Sequence, residues 1–397
     1  MIFIEIIFWI CVVAIFHTYL LYPFILKIFF ILRKKSLCNK DTKYAELPVN
    51  ILMAAYNEEK VIEEKINSIF QSHYPSHLIE VWVGSDNSSD RTNEILGQLS
   101  QKYTNLHTVF FKQRNGKINI INHLVSKATA DTLIITDANV IFDKDTIQEL
   151  VNSINEDNVG LVDTNMLHSG IRADGISKQE NLYISTEVKI KYYESVLWGT
   201  MMGPFGGCYA VKKNLFKPVP SHFLVDDFYI NMQVLTQGYK AISNLKAYVY
   251  EDVSNNLMDE YHRKVRIATG DFQNLFYFKS VFKKICSPVS FCFFSHKVLR
   301  WFTPFFFVIA FIALGILFLL GKKIYGYLWL LAVAVIFIVL LERLLSAMRI
   351  NMGILRLLTH FLYMNIALMS GFFKFLSGVK SSIWEPTPRH QGENKVY

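Results

Sequence analysis

The sequence predicts an α/β domain built on a Rossmann-like, mostly parallel sheet, with transmembrane helices at both ends. Three observations carry that expectation. Short apolar runs at 49–56, 80–85, 132–136 and 159–164 read as buried strands, and polar segments with helical spacing, such as 58–73 and 90–102, lie between them. Strand and helix signals that alternate in this way build a doubly wound parallel sheet. Long apolar stretches then flank this region, at 1–32 and from 302 onward.

In a chain of 397 residues with 32 phenylalanines, the formal charge of +8 reads as basic flanks of membrane segments, not as a nucleic-acid surface. Five cysteines, Cys11, Cys38, Cys208, Cys286 and Cys292, form no CxxC pair, so neither a disulfide framework nor a zinc site is expected. Residues 1–48 read as an N-terminal transmembrane helix and its basic flank. Arg33-Lys34-Lys35 follows the apolar run, the reverse of a signal peptide, and puts the chain from residue 33 on the cytoplasmic side. Pro23 is placed to kink this helix, and Glu5 and Lys27 are near enough to its ends to snorkel.

Residues 49–256 form the expected soluble domain. The first strand runs into Asn57-Glu58-Glu59, where Asn57 is expected to cap the next helix and the glutamates suit its positive end. The second ends in Ser85-Asp86-Asn87-Ser88-Ser89-Asp90. Ser88, Ser89 and Asp90 read as a turn and cap, while Asp86 lies at the C-terminal sheet edge, where ligands of such sheets bind. Arg114-Asn115-Gly116-Lys117 reads as a solvated turn, or as a lysine on flexible backbone that reaches a diphosphate as a point charge; it is not a Walker A loop.

The run Thr132-Leu-Ile-Ile-Thr-Asp137-Ala-Asn139 stops on an acid. On extended backbone Asp137 and Asn139 point to one side, and two oxygen ligands suit Mg²⁺ or Mn²⁺ shared with phosphate oxygens. Asp143 and Asp145 belong to the next turn or helix start. Residues 199–210, with Gly206 and Gly207, are either an ordinary tight turn or backbone that a ligand approaches closely. Asp226-Asp227 precedes a helical pattern, as dipole complementation or as a general base tuned by its neighbour.

These pieces, in this order over roughly 50–270, resemble the family 2 glycosyltransferases, the inverting GT-A group that includes hyaluronan, chitin and cellulose synthases. The resemblance implies a GT-A domain and a donor site of Ala55, Tyr56, Glu58, Asp86, Lys117, Asp137 and Arg266. It implies Asp137 and Asn139 as metal ligands where the family has Asp-x-Asp. It places Gly206, Gly207 and Asp226 at the acceptor, and makes Asp227, the second of the acidic pair, the base. The implied partners are a UDP-sugar, a glycan or lipid-linked acceptor and the lipid bilayer, with no nucleic acid. Two departures stand out. Asn139 carries no charge, which weakens the metal site. Arg263-Lys264-Val265-Arg266-Ile267 stands where processive synthases carry Gln-x-x-Arg-Trp, so the acceptor-supporting tryptophan is absent.

Residues 257–300 read as amphipathic interfacial helices on the membrane surface, with Tyr261, Val265, Ala268, Phe272 and Leu275 on one stripe. In 301–378, two spans at 302–320 and 324–341 meet at a Gly-Lys-Lys turn, and 357–376 reads as interfacial or re-entrant. The tail, 379–397, holds Trp384-Glu-Pro-Thr387-Pro-Arg389, which resembles the synthases' gating loop. The implied function is a multi-pass cell-membrane transferase with a cytoplasmic catalytic domain, making cell-surface or extracellular polysaccharide. A processive, polymer-extruding synthase and a nucleotide-binding transporter or receptor are the alternatives.

Overall fold

The structure is a computed structural model that describes residues 1–34, 44–169, 177–252, 257–347 and 353–379. The chain opens with α1 (Ile2–Phe16) and α2 (Tyr22–Lys34), joined by a π-turn at His17–Leu21. The break has a local cause. The ring of Pro23 cannot accommodate the carbonyl four residues back, that of Tyr19, and the helix widens around it.

The soluble domain follows as β1 (Val49–Ala55), α3 (Ile62–Phe70), β2 (Ile79–Ser85), α4 (Thr92–Lys102), β3 (Leu106–Phe110), α5 (Lys117–Lys127) and β4 (Thr132–Thr136). Then come β5 (Ile141–Phe142), α6 (Thr146–Ile154), β6 (Val159–Ser169), α7 (Ser177–Trp198), β7 (Cys208–Lys212), α8 (Asp226–Thr236) and β8 (Lys240–Asp252). The eight strands form one sheet in the order β3-β2-β1-β4-β7-β6-β8-β5. Pairing is parallel from β3 through β4, β7 is antiparallel to both its neighbours, and β6 and β8 are parallel again. The sheet is thus mostly parallel, as expected, with β7 and the short edge strand β5 reversed.

Strict period-2 alternation buries both faces. Leu52, Leu133, Ile135, Tyr209 and Val211 point to the side covered by α5 and α8, while Ile51, Met53, Ile134, Cys208 and Ala210 point to the side covered by α3, α4 and α6. A sheet apolar on both faces explains why its strands read as continuous hydrophobic runs. Two local expectations change. Asn57 does not cap α3, which starts five residues later; it adopts a left-handed φ of 55° and its Oδ1 accepts from Ser89 N at 2.9 Å. Glu59 likewise turns to Arg91 N, and the acids in the first turn of α3 are Glu63 and Glu64. Asp90 does serve the next helix start, its Oδ1 accepting from Thr92 N at 3.0 Å.

The remaining helices are α9 (Leu257–Tyr277), α10 (Pro288–Cys292), α11 (Leu299–Leu319), α12 (Lys323–Ala347) and α13 (Gly353–Leu376). Ser287 caps α10 by accepting from Ser290 N, and Pro288 suits the first helical position. Through a π-turn at Phe293–Val298, α10 and α11 run on as one helix, Pro288–Leu319, so the expected boundary at residue 300 falls inside a continuous element. Among the described residues, three helical stretches, Ile2–Arg33, Pro288–Leu319 and Lys323–Leu345, are long and apolar enough to cross a membrane; α13 is not among them. The stripe of α9 is real, but Ala268 and Phe272 are fully buried against protein: Phe272 packs edge-on to Phe372 of α13 at 5.0 Å, with Trp301 alongside. The apolar face of α9 therefore meets other helices where a membrane surface was expected. Trp384, Thr387 and Arg389 lie outside the described residues.

A buried polar joint ties the long apolar helices to the α/β domain. Glu194 of α7 accepts from Tyr22 Oη at 2.7 Å and from Met202 N at 3.0 Å, and lies 2.8 Å from His296 Nδ1 in the π-turn. All three elements need that one carboxylate. Glu194→Ala leaves three buried polar groups unsatisfied and is expected to cost roughly 3–5 kcal/mol. The check is a fall in the thermal midpoint of the purified protein in detergent, with Glu194→Gln milder.

Candidate active site

The site forms where β1, β2 and β4 end and three loops converge. Asp86, at the end of β2, is 3% exposed. Its Oδ1 accepts from Asn115 N at 2.6 Å, and its Oδ2 from Gly116 N at 3.0 Å and Arg114 Nε at 3.1 Å. The carboxylate is thus occupied in shaping the 114–116 loop rather than left open. Arg114 in turn lies 3.3 Å over the ring of Tyr56, which closes the loop onto the end of β1 beside Ala55. Glu58 sits in the same turn, its N–H donating to Thr92 Oγ1.

That loop delivers Lys117 to the start of α5. Its Nζ is 2.7 Å from Asp137 Oδ1 and 3.8 Å from Asp226 Oδ2. Burial alone would lower the lysine's pKa; Asp137, Asp226 and Asp227 overcome that and raise it above the usual lysine range, so the group is a fixed cation. Asp137 is held by its own N–H, which donates to Gly207 O at 2.9 Å. Asn139 turns its amide to Glu251 Oε1 at 3.4 Å. A lysine the sequence reading did not single out supports this turn: Lys65 of α3, fully buried, donates to Thr136 Oγ1 at 2.9 Å and to Val140 O, and lies 3.6 Å over the ring of Phe142. Burial brings its pKa down to about 7, against the opposing pull of Cys208 and Asp137.

Asp226 and Asp227 begin α8. Burial first, and then the charge of Asp226, push Asp227 up to about 6, with Lys117 acting in the opposite sense. The loop 199–207 passes directly over it. Gly206 has φ +85°, and a Cβ there would stand 2.5 Å from Asp227 Oδ2. The expected close approach of backbone to a ligand is, in this structure, an approach to the carboxylate itself. The loop is pinned from behind by a second pair missed in the sequence: Lys191 Nζ is 3.4 Å from Asp163 Oδ2 and lies 3.3 Å over the ring of Phe205. Burial raises Asp163 to about 6, moderated by Lys191.

Lys117, Asp137, Gly206, Gly207, Asp226, Asp227 and Arg266 line one cavity of about 250 Å³. Arg266 reaches it from α9, anchored by an NH1 bond to Leu224 O at 3.3 Å. Ala55, Tyr56, Glu58, Asp86 and Asn139, expected at the same site, are not among the residues that line it. The far wall belongs to the apolar helix Pro288–Leu319, through Lys297, Arg300 and Trp301, with Glu187 of α7 accepting from Lys297 Nζ at 2.5 Å and Arg300 NH1 at 2.6 Å.

Residues 50–219 match the glycosyl transferase family 2 model. The chain carries a family 2 glycosyltransferase domain. It is 34% identical over 122 residues to a protein of Bacillus subtilis named "Probable glycosyltransferase YdaM", a match covering 30% of this chain and 29% of that protein. It is 26% identical over 153 residues to the beta-monoglucosyldiacylglycerol synthase of Trichormus variabilis, covering 38% and 33%. The chain thus spans about a third of the length of the curated relatives it matches. Among solved structures, the mannosyltransferase PcManGT of Pyrobaculum calidifontis, in complex with GDP-Man and Mn²⁺, superposes with a TM-score of 0.70 at 22% identity, covering 94% of this chain and 99% of that one. The fold of that domain is therefore GT-A.

The fold family implies a divalent cation, and the donor set here fits one. Asp137 and Asn139 supply oxygen only, and among the described residues no three His, Cys, Asp or Glu side chains gather into a preformed cage. A site with few protein ligands suits a cation that completes its shell with substrate phosphates. Gly206→Ala tests how closely the loop fits Asp227. Left-handed strain of roughly 1–3 kcal/mol and displacement of the carboxylate are expected to lower the transfer rate by about 100-fold or more. Gly238→Ala has a similar φ of +86° but nothing within 4 Å of the new Cβ. It should lower thermal stability and leave transfer unchanged.

Proposed function

We propose that this is a multi-pass membrane enzyme that moves one sugar from a UDP-sugar, with inversion, to a hydroxyl of a glycan or lipid-linked acceptor on the cytoplasmic side of the membrane, in the synthesis of cell-surface or extracellular polysaccharide. The observation that carries the reading is the position of Asp227: a carboxylate shifted toward neutrality, between the Lys117–Asp137 pair and the wall formed by the membrane helix. Asp227 accepts the proton of the acceptor hydroxyl as that oxygen bonds to the anomeric carbon. The bond from that carbon to the diphosphate breaks, and its electron pair leaves with the diphosphate. One displacement gives a β-link from an α-donor. Lys117 and Arg266 supply positive charge where the leaving group develops its own. When bound, Mg²⁺ or Mn²⁺ held by Asp137 and Asn139 adds to that neutralisation.

Single transfer is favoured over processive synthesis by Ile267, which lines the cavity where the processive relatives carry their tryptophan. A mannosyltransferase of the same fold holds GDP-Man and Mn²⁺, so GDP-mannose belongs in the donor panel beside UDP-glucose and UDP-N-acetylglucosamine.

Two outcomes test the reading. Asp227→Asn should lower transfer by about 1,000-fold or more while UDP binding, followed by calorimetry, stays within twofold; unchanged transfer removes Asp227 as the base. A base is active only when deprotonated, and the pKa is raised to about 6, so the rate should fall tenfold per pH unit below about 6. The linkage to stability has the opposite sign, since protonation of a raised carboxyl favours the folded state: stability falls as pH rises through 6. Separately, chelation of divalent cations should abolish transfer, and Mn²⁺ or Mg²⁺ should restore it.

A further inference from the structure

We propose that Asp271 is an acceptor-binding residue, whose carboxyl group hydrogen-bonds a hydroxyl of a neutral membrane-lipid head group and sets it against Asp227. This rests on the function proposed above. Six carboxyl side chains line the cavity. Five have partners: Asp137 and Asp226 face Lys117, Asp227 accepts from Phe228 N, Glu251 from Asn139, and Glu187 from Lys297 and Arg300. Asp271 is only 9% exposed and makes no hydrogen bond or ion pair among the described residues. A buried polar group without a partner is costly, and one that faces a substrate cavity gains its partner from the substrate.

The backbone beneath Asp271 is fixed. Gly270 lets α9 close onto the segment that leads to Asp226; a Cβ there would stand 2.9 Å from Val225 N. Asn274 Nδ2 donates to Val225 O at 3.1 Å, and Gln273 both accepts from Leu224 N at 3.1 Å and donates to His222 O at 2.9 Å. Asp271 is therefore carried at a set offset from Asp227, on elements clamped together, as substrate positioning requires.

Its surroundings name the ligand class. The charges that act on Asp271 are those of Lys297, Asp227, Lys264 and Glu187, whereas Lys117 feels Asp137, Asp226 and Asp227. Asp227 is common to both sets, so Asp271 belongs to the side away from the donor phosphates. That side is walled by Lys297, Arg300 and Trp301 of a helix long and apolar enough to span the membrane. Glu187 accepts hydrogen bonds from both cations, which turns them toward it and away from an incoming ligand. Burial raises Asp271 to about 8, with Lys297 opposing, so the group is neutral at pH 7 and both donates and accepts. A neutral hydroxyl entering from the bilayer matches this chemistry.

The full-length protein, reconstituted in phosphatidylcholine vesicles, is assayed with each labelled nucleotide sugar and either dioleoylglycerol in the bilayer or free cellobiose in solution. The expected result is transfer to dioleoylglycerol, with Asp271→Ala raising its KM at least tenfold, UDP affinity unchanged, and Asp271→Asn within threefold of wild type. Asp271→Asn also serves if the alanine variant fails to fold. An unchanged acceptor KM in Asp271→Ala overturns the proposal, as does preference for cellobiose. Wild-type protein that binds UDP yet uses neither acceptor overturns it alone; wild-type protein that binds no nucleotide overturns the functional reading beneath it.

Discussion

The site depends on one half-buried cation. Lys117 is the point where three separate pieces of chain meet: the loop shaped by Asp86, the end of β4 at Asp137, and the start of α8 at Asp226. Three carboxyl groups cannot be held this close in a partly buried cavity without a compensating positive charge. Lys117 sits 2.7 Å from Asp137 and 3.8 Å from Asp226, and it limits how far Asp227 rises. The sheet brings these residues to one edge; the lysine makes their coexistence affordable.

Much of this was legible in the sequence. β1, β2, β4 and β6 are continuous apolar runs because both sheet faces are covered, and a run that stops on Asp137 marks the ligand edge of a parallel sheet. Lys117, Asp137, Gly206, Gly207, Asp226, Asp227 and Arg266, singled out by order and spacing, do line one cavity. Asp86 is near them but turned inward to the loop, because a carboxylate beside three convergent donors is better satisfied there.

What escaped the sequence was buried charge. In α7, Glu187, Lys191 and Glu194 recur at spacings of four and three, which is core periodicity written in ionisable residues, and a search for apolar stripes passes over it. Lys65 left a similar sign, standing between Ile62, Ile66 and Ile69 on the buried face of α3. The stripe of α9 was seen, yet assigned to lipid; only the third dimension shows that α13 and Trp301 cover it and that Asp271 faces inward beside it. Periodicity reveals that a face is buried, but not which surface buries it.

The electrostatics also bear on how substrate would enter. Among the described residues, seven basic and six acidic side chains line the cavity, and with Asp271 neutral the lining carries only a small positive excess before anything binds. Lys117 is already shared between carboxylates, so a diphosphate placed beside it must compete with Asp137 and Asp226. Added negative charge alone would raise Asp227 further and leave less of it deprotonated at neutral pH. On the proposed reading, a donor that arrives with its own divalent cation avoids both penalties, since the pair brings little net charge. Donor and cation affinity should then be strongly coupled, and the coupling follows from the near-neutral lining more than from the ligands Asp137 and Asn139 taken by themselves.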